Sequence, residues 1–572
     1  MAVKYSKRSW LAGLFFAIVT IVACDCYLQW NSLVSSSASL LVWLITLTFA
    51  SAALFSQKNR RMKLYSLVFG WFFAAAQICG ARLETLETLA LNGQELVLML
   101  VCITASAPAA GSLFAAFIHL LQKSPAAAHK HSSLTVFLSS AAILYICWLP
   151  YLAAFYPGLF TYDVSYQYLQ YEAGKLNMHH PLLHTLMIGG FYDLGWYLFG
   201  YPVKGILMYA LFQMGLLALA IAASISCLYR WKAPFWCCIL ALVCGAFLPF
   251  NTLLSISTTK DTLFAASVLW LTVLAFEFYQ RPELFKSKVR LLCFLLALLL
   301  TALLRNNGFI CIGGLAFAGV CLLRHNPAAF RRLIVVVLCS FIAYSSINWG
   351  LKTITNAEKG PGREMYSVPI QQLARVYVMT DDAAKPEIVS FLPTAANYAC
   401  TISDPVKNTF VAEQVSIPDF LQLWARVGLR HPIIYLEAFA ETTRGFWHFD
   451  VIPTGQYLET AFHTDEGNWL VEESKWPWLK DQMSRLYSKN EYRQLPLISS
   501  ILTPAFWCWA LVLVIFAALY LRKKSVIFAS LAVFALYLTT LLGPCVMFRY
   551  IYPVAICIPF LLGALHISEE PQ

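Results

Sequence analysis

Apolar runs of about 20 residues recur along the chain, separated by short polar or basic stretches, and each is long enough to cross ~30 Å of hydrocarbon. Spans are expected at 10–29, 37–56, 65–80, 95–121, 133–155, 203–229, 234–250, 262–279, 290–304, 308–323, 331–351, 500–520, 525–543 and 550–566. A helix satisfies its own backbone groups in lipid, so these runs read as helices. A transmembrane barrel would show alternating segments of about ten residues, and none are seen. The pattern predicts an all-α polytopic membrane protein with about 14 transmembrane helices. It divides into a four-helix region (1–132), a seven-helix module carrying a long outer loop at 156–202 (133–351), a mixed extracytoplasmic domain (352–499) and three closing helices (500–572).

Composition agrees. Only 12% of the 572 residues are charged, against about 25% in soluble proteins. The net charge of +11 invites a nucleic-acid partner, but the distribution of the 41 Lys and Arg residues argues against one. Between the expected spans they fall on alternate sides, with 21 on one side and six on the other, and the remaining 14 lie in the 352–498 segment. The positive-inside rule then puts both termini in the cytoplasm, so basicity here sets orientation. The basic, apolar start lacks a small-residue cleavage motif before a soluble domain and reads as a retained signal anchor. Nearly all of the 17 cysteines lie in spans, and no CxxC spacing or disulfide framework is present. The absence of an Asn-x-Ser/Thr sequon leans towards a bacterial plasma membrane.

The loop 156–202 reads as two interfacial helices. In the first, Asp163, Gln167 and Gln170 share one face and Tyr162, Tyr166 and Leu169 another, which predicts a polar side towards water or a cavity. The second is expected to begin near Pro181 and run to about Leu198. In the polar segment, 367–379 and 418–447 show helical periodicity, and strand signals are poor.

Candidate chemistry clusters at span ends, and each residue has an ordinary role to set beside a functional one. Asp163 follows a Tyr-Pro-Gly turn; it is suited to capping the next helix or to acting as a general base. His179 and His180 are an interfacial polar pair, or hydrogen-bond a phosphate or sugar; adjacent side chains diverge, which disfavours a two-His metal site. Lys260 and Asp261 open a span, where Lys snorkels and Asp meets the helix dipole, or where the helix start holds a phosphate. Arg305 and Arg549 are snorkelling anchors taken singly. With Lys260 they are three of the only six basic residues in the short outer loops and helix ends, which favours convergence on an anion. Gln371, Gln372 and Arg375 are placed to face a membrane cavity, and His463, Asp465 and Glu466 read as a solvated loop.

This layout resembles the GT-C superfamily, multi-pass glycosyltransferases that use polyprenyl-phosphate sugars, such as protein O-mannosyltransferases and lipid A aminoarabinose transferases. The likeness covers about 133–351. The chain also resembles a little-characterised group of bacterial membrane proteins carrying YPG…D…Q, HHP, TKD and LRNNG stretches. The resemblance implies that Asp163 is the first-loop catalytic aspartate and that Lys260, Arg305 and Arg549 bind the lipid phosphate. Gln167, His179, His180 and Asp261 are then expected at the substrate. The chain departs from the acidic pair common in that loop, since Val164 follows Asp163, and four extra spans precede the module. The expected function is inverting transfer of a sugar from a polyprenyl-phosphate donor in the bilayer to an extracytoplasmic glycan, lipid or protein. No cofactor is required by the pattern, and a divalent metal is left open by it. A transporter or flippase, whose marks are broken helices and mid-membrane charges, and a non-catalytic envelope-assembly subunit are the alternatives.

Overall fold

The computed structural model describes residues 6–28, 37–122, 132–161, 163–449, 473–487, 491–495 and 498–570; His463, Asp465 and Glu466 lie outside them. The described residues are predominantly helical. The first helices are α1 (Lys7–Leu28), α2 (Ser37–Phe55), α3 (Arg60–Leu86), α4 (Gly93–Gln122) and α5 (Ser133–Ala154), followed by the loop helices α6 (Val164–Glu172) and α7 (Leu182–Phe199). Then come α8 (Val203–Arg230), α9 (Phe235–Phe247), α10 (Pro249–Ile256), α11 (Lys260–Gln280), α12 (Lys288–Leu304), α13 (Phe309–Leu322) and α14 (Pro327–Thr355). The polar segment holds α15 (Ser367–Met379), α16 (Lys385–Phe391), α17 (Asp404–Lys407), α18 (Ile417–Arg430), α19 (Pro432–Thr443) and α20 (Pro477–Tyr487). The chain closes with α21 (Ile498–Ile501), α22 (Pro504–Leu521), α23 (Lys524–Thr540) and α24 (Phe548–Ala564).

Among the described residues, eight helices are long and apolar enough to cross a membrane: α1, α3, α4, α5, α8, α11, α14 and α22. There are nine if α9 and α10, bent by 53° at Leu248, count as one. Other expected spans fall on α12, α13, α23 and α24, which do not meet that length and composition on their own, and one falls on α2. At 1.5 Å per residue the 17-residue helices α12, α23 and α24 reach about 26 Å, just under the hydrocarbon thickness.

The core is built around α11, which is almost wholly buried among α8, α12, α23 and α24. Its lower end is pinned by Glu277, which accepts from Trp231 Nε1 at 3.2 Å and pairs with Arg230 and, at 3.3 Å, Arg290. The N-terminal helices pack on one another and reach the module through α3 and α22.

The polar segment, expected to be mixed, shows helices and isolated bridges but no strand among the described residues. Its helices carry their own apolar core, in which Ile370, Leu373, Phe410, Phe420, Leu423 and Val427 are buried. The i, i+3, i+7 spacing of the last three of these on α18 explains why that stretch is a helix. Backbone hydrogen bonds tie the segment to the loop before α7 and to the turn before α24. Met178 N donates to Glu358 O and Glu358 N to Leu176 O (3.0 and 2.9 Å), and Ser403 N donates to Pro544 O (2.9 Å), just before α24.

Candidate functional site

Two loops distant in sequence are stitched together to form the site. After α5 the chain turns through a cis Tyr156–Pro157 peptide and Gly158, whose φ of +131° excludes a side chain at low cost. A Cβ there would also meet Ala210 Cβ and Ile256 O at 3.1 Å. The next residues run beside the break between α10 and α11. Leu159 N donates to Ile256 O and Thr258 N to Leu159 O, both at 2.9 Å, and Thr161 Oγ1 meets Ser257 Oγ at 2.6 Å. The carbonyls exposed by that break need donors in an apolar setting. Gln213, fully buried on α8, supplies them: its Nε2 donates to Ser255 O (2.8 Å) and Ser257 O (2.6 Å). This stitching brings Asp163 to the first residue of α11.

Asp163 occupies the N-cap position of α6, but its side chain caps nothing. It is drawn instead to cations. Its Oδ2 lies 2.5 Å from Lys260 Nζ and 2.9 Å from Arg549 Nη1. Arg549 Nη1 also lies 3.6 Å from Asp261 Oδ2, and Arg305 Nη1 is 2.9 Å from Asp261 Oδ1. Thus Asp163, Lys260, Asp261, Arg305 and Arg549 form one cluster, drawn from a loop, two helix starts and one helix end. Asp261 is fully buried and accepts from Thr259 Oγ1 at 3.1 Å, while the Asp163 side chain stays 32% exposed. The Arg305–Asp261 contact is misaligned for a hydrogen bond, leaving Arg305 Nη1 and Asp261 Oδ1 without a hydrogen-bond partner. The Arg305 guanidinium stacks over Tyr550 and Phe264 (5.1 and 5.6 Å to the ring centres), which holds it in place.

Electrostatically the cluster carries two carboxylates and three fixed cations. Burial alone would push the Asp163 carboxyl up; Arg549 and Lys260 outweigh it and hold it well below the usual carboxylate range. His180 is buried, with its Nδ1 3.4 Å from Lys260 Nζ. Burial and that ammonium push it down to about 3, so it is neutral and adds no positive charge. The cluster therefore keeps a net charge of about +1. His179 is half-buried; its ring lies 4.5 Å from that of His180 at 64°, and its carbonyl accepts from Asn306 Nδ2 at 2.9 Å, which ties the HHP loop to the turn after Arg305.

Gln167 lies elsewhere. It is fully buried, with Nε2 donating to Thr185 Oγ1 (2.9 Å) and Oε1 meeting His184 Nδ1 (3.0 Å), while Tyr209 OH meets His184 Nε2 (2.9 Å). Burial pushes His184 down to about 3, and the neutral ring then donates from Nδ1 and accepts from Tyr209. The polar face of α6 is thus turned into protein, and Tyr166 points outward. Burying Gln167 is offset by the bonds that its amide makes on both its nitrogen and its oxygen. Arg375 and Gln372 also differ from expectation. Gln372 bonds Trp424 Nε1 and Tyr435 O within the polar segment, and Arg375 is buried against Glu437, Tyr398 and Glu87 O, which ties that segment to the end of α3. Gln371 donates to Ala399 O at 2.5 Å within the same segment.

Gln213 and His184 are the residues that sequence reasoning missed. Both had a signal, a polar side chain amid an apolar helical run (ALFQMGLL and PLLHTLM). The cluster does not suit a divalent cation, since each carboxylate is engaged by cations and the sum is positive. No group of three or more His, Cys, Asp or Glu arranged to hold a metal occurs among the described residues.

No curated protein and no solved structure matches the chain. A family model does match, over residues 168–571; it begins just after Asp163 and includes Lys260, Asp261, Arg305 and Arg549. The match spans well over half of the sequence, and the chain belongs to the family of unknown function DUF6020.

Proposed function

We propose that this protein is a membrane glycosyltransferase that moves a sugar from a polyprenyl-phosphate donor to an extracytoplasmic acceptor, by inversion. The observation that carries this reading is the convergence of Asp163 with Arg549, 386 positions later, and with Lys260, in a cluster with surplus positive charge. A second feature agrees. An apolar cavity of ≈ 450 Å³ is lined by Leu263, Ala266 and Trp270 down one face of α11, by Leu300 and Leu304 next to Arg305, and by Leu183. Such a cavity, lined by residues within a turn of Lys260 and next to Arg305 in sequence, suits an isoprenoid chain whose phosphate sits at the helix starts.

In the proposed step Asp163 accepts the proton of the acceptor hydroxyl. The acceptor oxygen forms a bond to the anomeric carbon as the bond to the phosphate oxygen breaks. The electron pair leaves with the phosphate, whose growing charge Lys260, Arg305 and Arg549 stabilise. In this reading the chain crosses a bacterial plasma membrane 14 times by the positive-inside pattern, with cytoplasmic termini. The test is mass spectrometry of envelope glycans and lipid-linked sugars with and without the protein, followed by transfer assays in nanodiscs. Loss of one sugar species without the protein supports the reading, and unchanged profiles oppose it.

The 53° break between α9 and α10 favours a second reading, a transporter of lipid-linked solutes, because broken helices are common in such proteins. Movement of labelled lipid across proteoliposomes without new glycosidic product would select it.

A further inference from the structure

In this structure Asp163 Oδ2 sits between Lys260 Nζ and Arg549 Nη1, at 2.5 and 2.9 Å. These cations stand at the starts of α11 and α24, where the helix dipole also favours an anion. Asp163 therefore fills the place that a phosphate oxygen would take. The other carboxylate of the cluster is differently placed: Asp261 has no exposed side-chain surface and is held by Thr259 and Arg305, with Arg549 at 3.6 Å. Asp163 makes no capping bond to α6 and is the member of the cluster most open to solvent.

We infer that the two ion pairs of Asp163 are the resting form of the site, and that an incoming phosphate ester replaces its carboxylate on Lys260 and Arg549 and releases it as the base. The inference rests on the phosphate-site reading of the cluster. No covalent bond changes in the exchange; two charge-assisted contacts to Asp163 give way to two to phosphate oxygens. A carboxylate clamped by two cations is a poor base, so a site without donor holds no active base. Once the phosphate neutralises those cations, the freed carboxylate regains ordinary basicity next to the bond to be cleaved.

The experiment is calorimetric titration of the full-length protein in nanodiscs with decyl phosphate and, in parallel, inorganic phosphate. Asp163→Asn removes the competing anion and is expected to bind decyl phosphate roughly ten- to hundredfold more tightly than the parent. Asp163→Glu keeps the anion and is expected to stay within a few-fold of the parent. In the parent, infrared difference spectra on adding decyl phosphate are expected to show a carboxylate band change that is absent from Asp163→Asn. This second measurement does not depend on the variant's affinity. Equal or weaker binding by folded Asp163→Asn, or no carboxylate change in the parent, overturns the exchange while leaving the phosphate site standing. No binding of either ligand by any of the three proteins overturns the phosphate site itself. Preference for decyl over inorganic phosphate assigns the site to a lipid-borne phosphate and equal affinity to a free one, and with either ligand it is tighter binding by Asp163→Asn that supports the exchange.

Discussion

Two buried groupings of Arg and acidic side chains in this protein differ in how their charge is used. Around Glu437 every need is met: Oε1 accepts from Thr88 Oγ1 and Leu89 N, both at 2.7 Å, and Oε2 meets Arg375 Nη2 at 3.1 Å. Arg375 also reaches Tyr398 OH at 2.9 Å and Glu87 O. One cation faces one anion, and the pair fastens the loop after α3 to the polar segment. Around Asp163, three cations face two anions, one carboxylate is partly open, and Arg305 holds a donor with no aligned partner. Burial of charge alone thus does not mark a functional site. The proposed phosphate site relies instead on surplus charge beside an opening, because a saturated pair has nothing left to offer a ligand.

This contrast can be broken at either end. The largest expected effect is at the open cluster: Asp163→Asn should lower turnover by ~10²–10⁴ while thermal unfolding stays near that of the parent. Transfer at the parental rate would remove Asp163 from the reaction. At the saturated pair the pattern reverses. Glu437→Ala strands the buried Arg375 and should cost about 3–5 kcal/mol of stability, seen as a lower denaturation midpoint.

A third test concerns Glu441, whose carboxyl burial raises to about 7 although Arg444 Nη1 lies 2.9 Å away. The folded protein keeps a proton that the unfolded chain releases above its ordinary value of 4.5, so stability should fall as pH rises from about 4.5 to about 7. The loss is on the order of 3 kcal/mol, and Glu441→Gln should flatten it in unfolding curves between pH 5 and 8. Next, Arg305→Ala should weaken donor or decyl phosphate binding roughly ten- to hundredfold, with less effect on folding than Glu437→Ala, as read by titration and melting together. The smallest effect belongs to the exposed pair of Arg281 with Glu570. Glu570→Gln should change stability by about 1 kcal/mol or less, giving a baseline for ion pairs that water already serves.

How much of this was readable beforehand follows from the range of each interaction. The start of α7 near Pro181, the end of α12 at LLRNNG and the opening of α11 at TTKD were legible, because caps, prolines and apolar periodicity act within a few residues. The scarcity of cations on one side pointed to Lys260, Arg305 and Arg549, and these three now share two carboxylates. Gln167 was misjudged because helical spacing gives a residue its face but not what that face meets; His184, from the following helix, meets it. Arg375 looked available for the same reason, since its partner Glu437 lies 62 residues further on.

The sequence by itself determined the helical membrane class and the positions of the polar breaks between apolar runs, since hydrophobic periodicity and turn chemistry are local properties of the chain. Only the tertiary structure decided which polar groups meet. Asp163 joins Lys260 and Arg549 because the loop after α5 is stitched to the α10–α11 break, with Gln213 satisfying the carbonyls left open there. The physical reason is that a buried charge or amide must find its partner wherever the fold brings one, and that partner is seldom near in sequence.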